Sequence, residues 1–390
     1  MPPAAPASRG ALPADPGAAI IALADACVQC GLCLPHCPTY RIDRAETESP
    51  RGRIALARSL ADGRLSADAR VDAHLDHCLG CRRCEAVCPA NVQYGELLER
   101  TRTRQRERRG TPWRQRAFEW LTARPALLDR LLGAYRQLYP ILPRTLPRPP
   151  AHAPLPAPSP ANPTGGQAAV FTGCIARRYD SQTHAALLRL CAAAGVTADV
   201  PAAQTCCGTL HAHAGDAATA AQLAQRNRTA FAAGVPVLTS ASGCHEAVAR
   251  CLDSHAPVLD ASTYLLARAD RLRFKPARVR AALHVPCTQR AVVHSDHALR
   301  ALLARIPELE LVDLPDTGCC GAAGTHMLAE PERAAVLRQP LLDAFAASGA
   351  SVLLSANIGC RLHLAAGNAK IPARHPLDFL AEHLIGTSTP

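Results

Sequence analysis

Eight cysteines near the N-terminus are spaced for metal chemistry: Cys27, Cys30, Cys33 and Cys37, followed by Pro38, and Cys78, Cys81, Cys84 and Cys88, followed by Pro89. Three thiolates, each separated from the next by two residues, can be wrapped by one tight loop onto three corners of an iron-sulfur cube while the loop amides aim at its sulfurs. The proline that follows has no N–H and turns the chain away. Structural zinc is the competing use of such thiols, but zinc sites pair CxxC units rather than setting triples before Cys-Pro. His36 and His77 stand beside these cysteines and read as surface or supporting residues, not ligands.

The two runs reproduce the bacterial ferredoxin pattern, in which the fourth cysteine of each run ligates the other cluster. By that rule one [4Fe-4S] cluster takes Cys27, Cys30, Cys33 and Cys88, and a second takes Cys78, Cys81, Cys84 and Cys37. Coordination by four thiolates leaves no open iron position for a substrate, so the pair is expected to act as a wire with no catalytic residues. The forty residues between Cys37 and Cys78 exceed the connection of a minimal ferredoxin. Their helical text, 53–60 for example, predicts an α-helical ferredoxin domain over residues 17–100.

A second set of cysteines is duplicated. Cys174 precedes Cys206-Cys207-Gly208 by the interval at which Cys287 precedes Cys319-Cys320-Gly321, and the units close at Cys244 and Cys360. An offset of 113 residues aligns the first three cysteines and 116 the last, so one duplicated unit accounts for both. In each unit strand-like text (168–172; 281–285) leads to the first cysteine. Helix-like text (184–190; 298–306), a short strand and the CCG follow, then another helix and a β-rich run (235–240; 351–355) ending at the last cysteine. Alternating strands and helices predict parallel α/β layers, with the cysteines gathered at the carboxyl edge of each sheet. Cys174, Cys206, Cys207, Cys244, Cys287, Cys319, Cys320 and Cys360 are therefore additional candidate ligands. A further cluster, zinc, contact with a quinone and plain subunit packing stay open as their use. Cys191 and Cys251 fall outside both patterns and read as buried apolar residues.

The elements that must carry these sites follow from the rest of the chain. Residues 1–16, rich in Ala and Pro, read as a disordered tail, and 101–142 as a basic and amphipathic helical segment. There Leu128, Leu131, Tyr135, Leu138 and Leu142 recur at helical spacing. Either the stripe covers a neighbouring domain or, with the arginines of 100–116, it docks a partner or acidic lipid. Residues 143–167 form a Pro-rich linker, 168–275 the first CCG repeat and 276–386 the second. Of 390 residues 48% are apolar and 19% charged, enough for several cores. The net charge of +11 is almost all arginine, and aromatics are 4%. With few aromatics for base stacking, no nucleic acid partner is expected. The stretch 18–26 lacks the basic flank of an export signal and no apolar run reaches spanning length. The expected location is therefore a reducing cytoplasm, with at most peripheral association at the inner face of the cytoplasmic membrane.

Duplicate CCG motifs, each with an upstream and a downstream cysteine, resemble the cysteine-rich domain of heterodisulfide reductases and of several respiratory dehydrogenase subunits. With ACVQCGLCLPHCPTY, SPRGRI, HLDHCLGCRRCEAVCPANVQYGELL, ASGC and SANIGCRLHL in this order, residues 20–385 resemble the iron-sulfur subunit of glycolate oxidase. The resemblance implies an α-helical ferredoxin domain followed by a duplicated α/β cysteine-rich (CCG) domain. It also implies flavin-containing partner subunits that oxidise glycolate, and relay of electrons toward the quinone pool or another membrane acceptor. No glycine fingerprint for a flavin occurs in this chain. The neighbouring readings are an iron-sulfur subunit of a lactate or glycerol-3-phosphate dehydrogenase and a heterodisulfide-reductase-like subunit. The last would close each unit with CxxC, where this chain has Ala247 and His363, the latter either a replacement ligand or, as a histidine at a helix start more often is, an ordinary surface residue.

Overall fold

The computed structural model describes residues 12–141, 168–368, 371 and 373–385. The proposed linker 143–167 and most of the proposed tail lie outside the described residues. Eight helices come first: α1 (Pro16–Asp25), α2 (Pro38–Asp43), α3 (Pro50–Ala61), α4 (Ala69–Asp76), α5 (Arg83–Ala86), α6 (Tyr94–Arg109), α7 (Trp113–Thr122) and α8 (Pro125–Leu138). Local chemistry sets their starts. Asp15 accepts from the Ala18 N–H at 2.6 Å, Ser49 Oγ from the Gly52 N–H at 2.9 Å, and Pro16 and Pro50 occupy the first helical positions. Ile20 and Leu23 of α1, Ile54 and Ala57 of α3, and Leu97 and Leu98 of α6 bury their faces together into one small core.

The first repeat runs β1 (Ala168–Phe171), α9 (Ile175–Tyr179), α10 (Ser181–Ala193), β2 (Ala198–Asp199), α11 (Thr209–His213), α12 (Ala217–Ala230), β3 (Val237–Thr239), α13 (Ser242–Leu252), β4 (Val258–Asp260) and α14 (Ala261–Leu266). The second runs β5 (Arg280–His284), a π-helical turn (Gln289–Val293), α15 (Asp296–Leu303), β6 (Glu310–Asp313), α16 (His326–Ala329), α17 (Pro331–Ser348), β7 (Val352–Ser355), α18 (Ile358–Gly367), β8 (Ala373–Arg374) and α19 (Pro376–His383). Each forms a parallel four-stranded sheet, ordered β2-β1-β3-β4 and β6-β5-β7-β8. The central strands β1, β3 and β7 are buried throughout, as strands covered on both faces must be. The duplicated α/β architecture expected from the sequence is thus present.

The repeats exchange helices across their seam: α10 packs on α19, and α14 on α15. One core consequently spans both sheets, joining Val170, Leu187 and Leu265 to Leu283, Leu302 and Leu380.

The helical segment after α6 departs from the expected single stripe. Leu128 is buried and Tyr135 half-buried, but Leu131 and Leu138 face outward, and Leu142 lies outside the described residues. Of the arginines of α6, Arg104, Arg108 and Arg109 are exposed and Arg100, Arg102 and Arg106 half-buried. Arg106 pairs with Glu119 and Asp216, Arg108 with Asp72 and Arg109 with Asp76, while Arg102 donates to the carbonyls of Leu75, Asp76, Cys78 and His213. Arg102 and Arg106 thus bind the helical domain to the first repeat, while Arg108 and Arg109 tie α6 to α4.

Candidate iron-sulfur sites

The two ferredoxin-type loops follow the same backbone path. The left-handed region is occupied two and four residues after the first cysteine of each, at Gln29 (φ 56) and Gly31 (φ 83), and at Gly80 (φ 60) and Arg82 (φ 55). Two reversals in four residues curl the chain around the three thiols. The first loop opens on a cleft with about 440 Å³ of empty space whose lining includes Cys27, Cys30, Cys33 and, from the second run, Cys88 and Cys84. Cys30 is exposed, and Val28 and Leu32 on either side of it are 67% and 56% exposed.

Cys37 and Cys84 are buried, and Cys78 and Cys81 half-buried. Burial, with charge on Cys78 and Cys37 nearby, pushes the Cys81 and Cys84 thiols well up. Burial acts the same way on Cys78, but the guanidinium groups of Arg53 and Arg102 outweigh it and hold that thiol below its ordinary value. A donor set of thiols with arginines behind it suits an anionic thiolate-ligated cluster.

Arg53, only 1% exposed, belongs to a network that the spacing of cysteines did not disclose. It donates to the Glu48 carboxylate, the Glu48 carbonyl at 2.6 Å, Thr39 Oγ1 at 2.9 Å and the His74 carbonyl at 2.6 Å. His74 and His77 each donate from Nδ1 to Glu48 Oε1 at 2.7 Å. Burial alone would raise the Glu48 carboxyl, but the His77 and His74 bonds and the Arg53 charge bring it to about 2. His77 therefore supports the site through Glu48. The string SPRGRI held the signal. Ser49 caps α3, a Cβ on Gly52 would lie 1.9 Å from the Glu46 carbonyl oxygen, and Arg53 is the buried hub.

In each repeat the four cysteines stand just beyond strand ends: Cys174 after β1, Cys206 and Cys207 before α11, Cys244 in the first turn of α13; Cys287 after β5, Cys319 and Cys320 before α16, Cys360 in the first turn of α18. Cys206 and Cys174 sulfurs are 3.5 Å apart, Cys287 and Cys319 3.9 Å, and Cys320 and Cys360 3.0 Å. Hydrogen bonds from Cys206 and Cys244 hold the Cys207 thiol well down. In the second repeat all four thiols are raised. The glycine of each CCG lies in the left-handed region (Gly208 φ 87, Gly321 φ 91) and donates its N–H to the first sulfur of the pair, at 3.5 and 3.4 Å. A Cβ on Gly321 would sit 2.6 Å from the Ala334 carbonyl oxygen, and one on Gly208 3.3 Å from that of Ala220. Glycine thus lets a helix press against the cysteine pair.

His363 does not join the cysteines. It is buried against α17, where Nε2 donates to the Ala334 carbonyl at 3.0 Å and Arg338 donates to its own carbonyl. In the middle of α18 and buried, it is neither a replacement ligand nor an ordinary surface residue. Cys191 is fully buried in the shared core, and Cys251, half-buried, donates to the Ala224 carbonyl at 2.9 Å.

The second ferredoxin loop is wedged between the repeats. Arg82 pairs with Glu246 of the first, two residues beyond Cys244, and Arg83 with Asp316 of the second at 2.8 Å, a carboxylate it shares with Arg290. Leu79 and Cys81 pack with Cys287, Cys319 and Leu337. His213 and His326, each seven residues past the first cysteine of its CCG, line one cleft beside this loop, with about 950 Å³ of empty space. The His213 ring is 3.3 Å from where a Cβ on Gly80 would be. Their common register is visible in the duplicated sequence once the repeats are aligned.

Residues 23–92 match the family described as 4Fe-4S dicluster domain, and residues 168–249 and 281–365 each match the CCG cysteine-rich domain. The probable glycolate oxidase iron-sulfur subunit of Bacillus subtilis is 32% identical over 91% of this chain and 93% of its own length. The glycolate oxidase iron-sulfur subunit of Escherichia coli is 30% identical over 92% and 94%. One of the subunits of the fumarate reductase (CoM/CoB) of Methanothermobacter marburgensis is 25% identical over 87% of this chain and 67% of the relative.

Proposed function

Since the chain belongs to the family of glycolate oxidase iron-sulfur subunits, we propose that it relays electrons from a flavin-bearing partner that oxidises glycolate toward a quinone or another membrane acceptor. Its [4Fe-4S] clusters supply one-electron chemistry when bound. Cys27, Cys30, Cys33 and Cys88 would hold one, and Cys78, Cys81, Cys84 and Cys37 the other. The observation that carries the reading is the order of the sites. The first loop presents Cys30 at the surface between exposed Val28 and Leu32, while the second packs Cys81 against Cys287 and Cys319 of the second repeat. The chain thus offers an entry at its surface and a continuation inward. Arg53 and Arg102 place fixed positive charge at Cys78, which favours added negative charge there. The four thiols of each repeat are close enough to hold a further cluster, and the second repeat, lying against Cys81, is the better placed of the two.

Reconstitution tests this reading. Protein purified without oxygen should carry about eight irons from two cubanes, and more if a repeat is loaded. Alone it should be reducible by dithionite but inert toward glycolate. With the flavin subunits of a glycolate oxidase added, glycolate should bleach its visible absorption. Reduction by lactate and not by glycolate would move the chain to a neighbouring dehydrogenase, and glycolate oxidation by the chain alone would exclude the relay.

A further inference from the structure

Both tryptophans of this aromatic-poor chain lie on α7, and both face solvent: Trp113 is 72% and Trp120 51% exposed. Seven residues apart, they share one face of the helix. On α8 Leu131 and Leu138 repeat that interval at 49% and 51% exposure, and Ile141, 80% exposed, continues their stripe. The adjoining face of α8, with Pro125 and Leu128, is the one turned inward. Large apolar side chains are therefore left outside along two consecutive helices, although each helix also has a buried side.

The charge on this hairpin has one sign. Its two acids are taken by arginines from elsewhere, Glu119 by Arg106 and Asp129 by Arg178. Arg114, Arg116, Arg124 and Arg130 form no ion pair among the described residues. Two of them lie over the tryptophans, Arg114 at 5.5 Å from the Trp113 ring and Arg124 at 4.2 Å from the Trp120 ring. Indole rings with arginines beside them, next to a leucine and isoleucine stripe, match the layering of a lipid interface. Rings sit at headgroup depth, aliphatic side chains reach the acyl boundary, and guanidinium groups meet phosphates. Among the described residues no helix is long and apolar enough to cross a membrane, so such contact would lie in the interface plane.

We propose that the α7–α8 hairpin docks this protein on the anionic headgroup surface of a phospholipid bilayer, with Trp113, Trp120, Leu131, Leu138 and Ile141 entering the interface. The inference rests on this surface and not on the electron relay. The test uses the full chain with its clusters and phosphatidylcholine vesicles prepared with and without phosphatidylglycerol. Because the chain has only these two tryptophans, their emission reports the site directly. On anionic vesicles it should move to shorter wavelength as the protein co-sediments, and binding should weaken in salt and on pure phosphatidylcholine. Each of Arg114→Gln and Arg130→Gln should lower partitioning about fivefold. The triple variant Leu131→Gln/Leu138→Gln/Ile141→Gln should lower it tenfold or more, with helix content and melting retained because these side chains are exposed. Unchanged emission and no sedimentation with anionic vesicles would overturn the proposal, as would a triple variant that binds like the parent. An emission shift produced only by a partner protein, with vesicles inert, would also overturn it and make the hairpin a protein interface.

Discussion

Cys37 sits at the turn into α2, buried, with Thr39 Oγ1 3.2 Å from its sulfur, whereas Cys30 of the same run is exposed. The run is thus divided between two environments, as it must be if its last thiol serves the other loop. Cys37→Ser should perturb the same EPR signal as Cys81→Ser, and Cys88→Ser the same signal as Cys30→Ser. Damage to one common cluster by Cys37→Ser and Cys30→Ser would show that each run is self-contained. The cysteines are legible in sequence because their spacing is local. Arg53 is not, since its acceptors on Thr39, Glu48 and His74 meet it only after α2, α3 and α4 have packed, and nothing in the letters separates a buried arginine from a solvated one.

At the level of elements, the CCG turn and the helix behind it form one unit in each repeat. An alanine at either glycine must adopt a left-handed conformation, at about 1–2 kcal/mol. Gly321→Ala adds a clash with the Ala334 carbonyl of α17 that Gly208→Ala, with 3.3 Å of room, largely escapes. Gly321→Ala should therefore lower the melting temperature clearly more than Gly208→Ala; equal losses would argue against helix pressure on the turn. The strands and helices flanking these turns follow the sequence closely, β1 at Ala168–Phe171 and β7 at Val352–Ser355, because buried parallel strands are short apolar runs. The two-sided character of α8 does not. Leucines at three- and four-residue steps fix a helical stripe, but only the position of the neighbouring body decides which leucines it covers.

For the molecule as a whole, the seam between repeats contains ionisable groups in its interior. Asp378 of α19 bonds to Thr183 of α10, and burial pushes its carboxyl up to about 6, against the lowering effects of that bond and of Arg361. With a folded value above the unfolded one of about 3.9, its contribution is most favourable at low pH and is lost as pH rises from about 4 through 6, on the order of 2–3 kcal/mol. Asp378→Asn cannot ionise, so its melting temperature should gain on that of the parent across this window and stay a few degrees higher above it. A difference independent of pH would mean that Asp378 does not change charge there. No single repeat reveals this feature in sequence, because the acid and its surroundings come from opposite halves of the duplication.

The exchange of helices across that seam also bears on how the protein is made. The eight N-terminal cysteines leave the ribosome first, while the residues that cover the second loop, around Cys319 and Leu337, are among the last, and the first repeat cannot close its core until α15 and α19 exist. At roughly 5–20 residues per second the interval between Cys88 and Cys360 lasts about 15–55 s. Through it the nascent chain carries reactive thiols with no roof and half a core with no partner. Iron-sulfur delivery and chaperone protection must therefore act on an unfinished polypeptide, or wait for the whole of it.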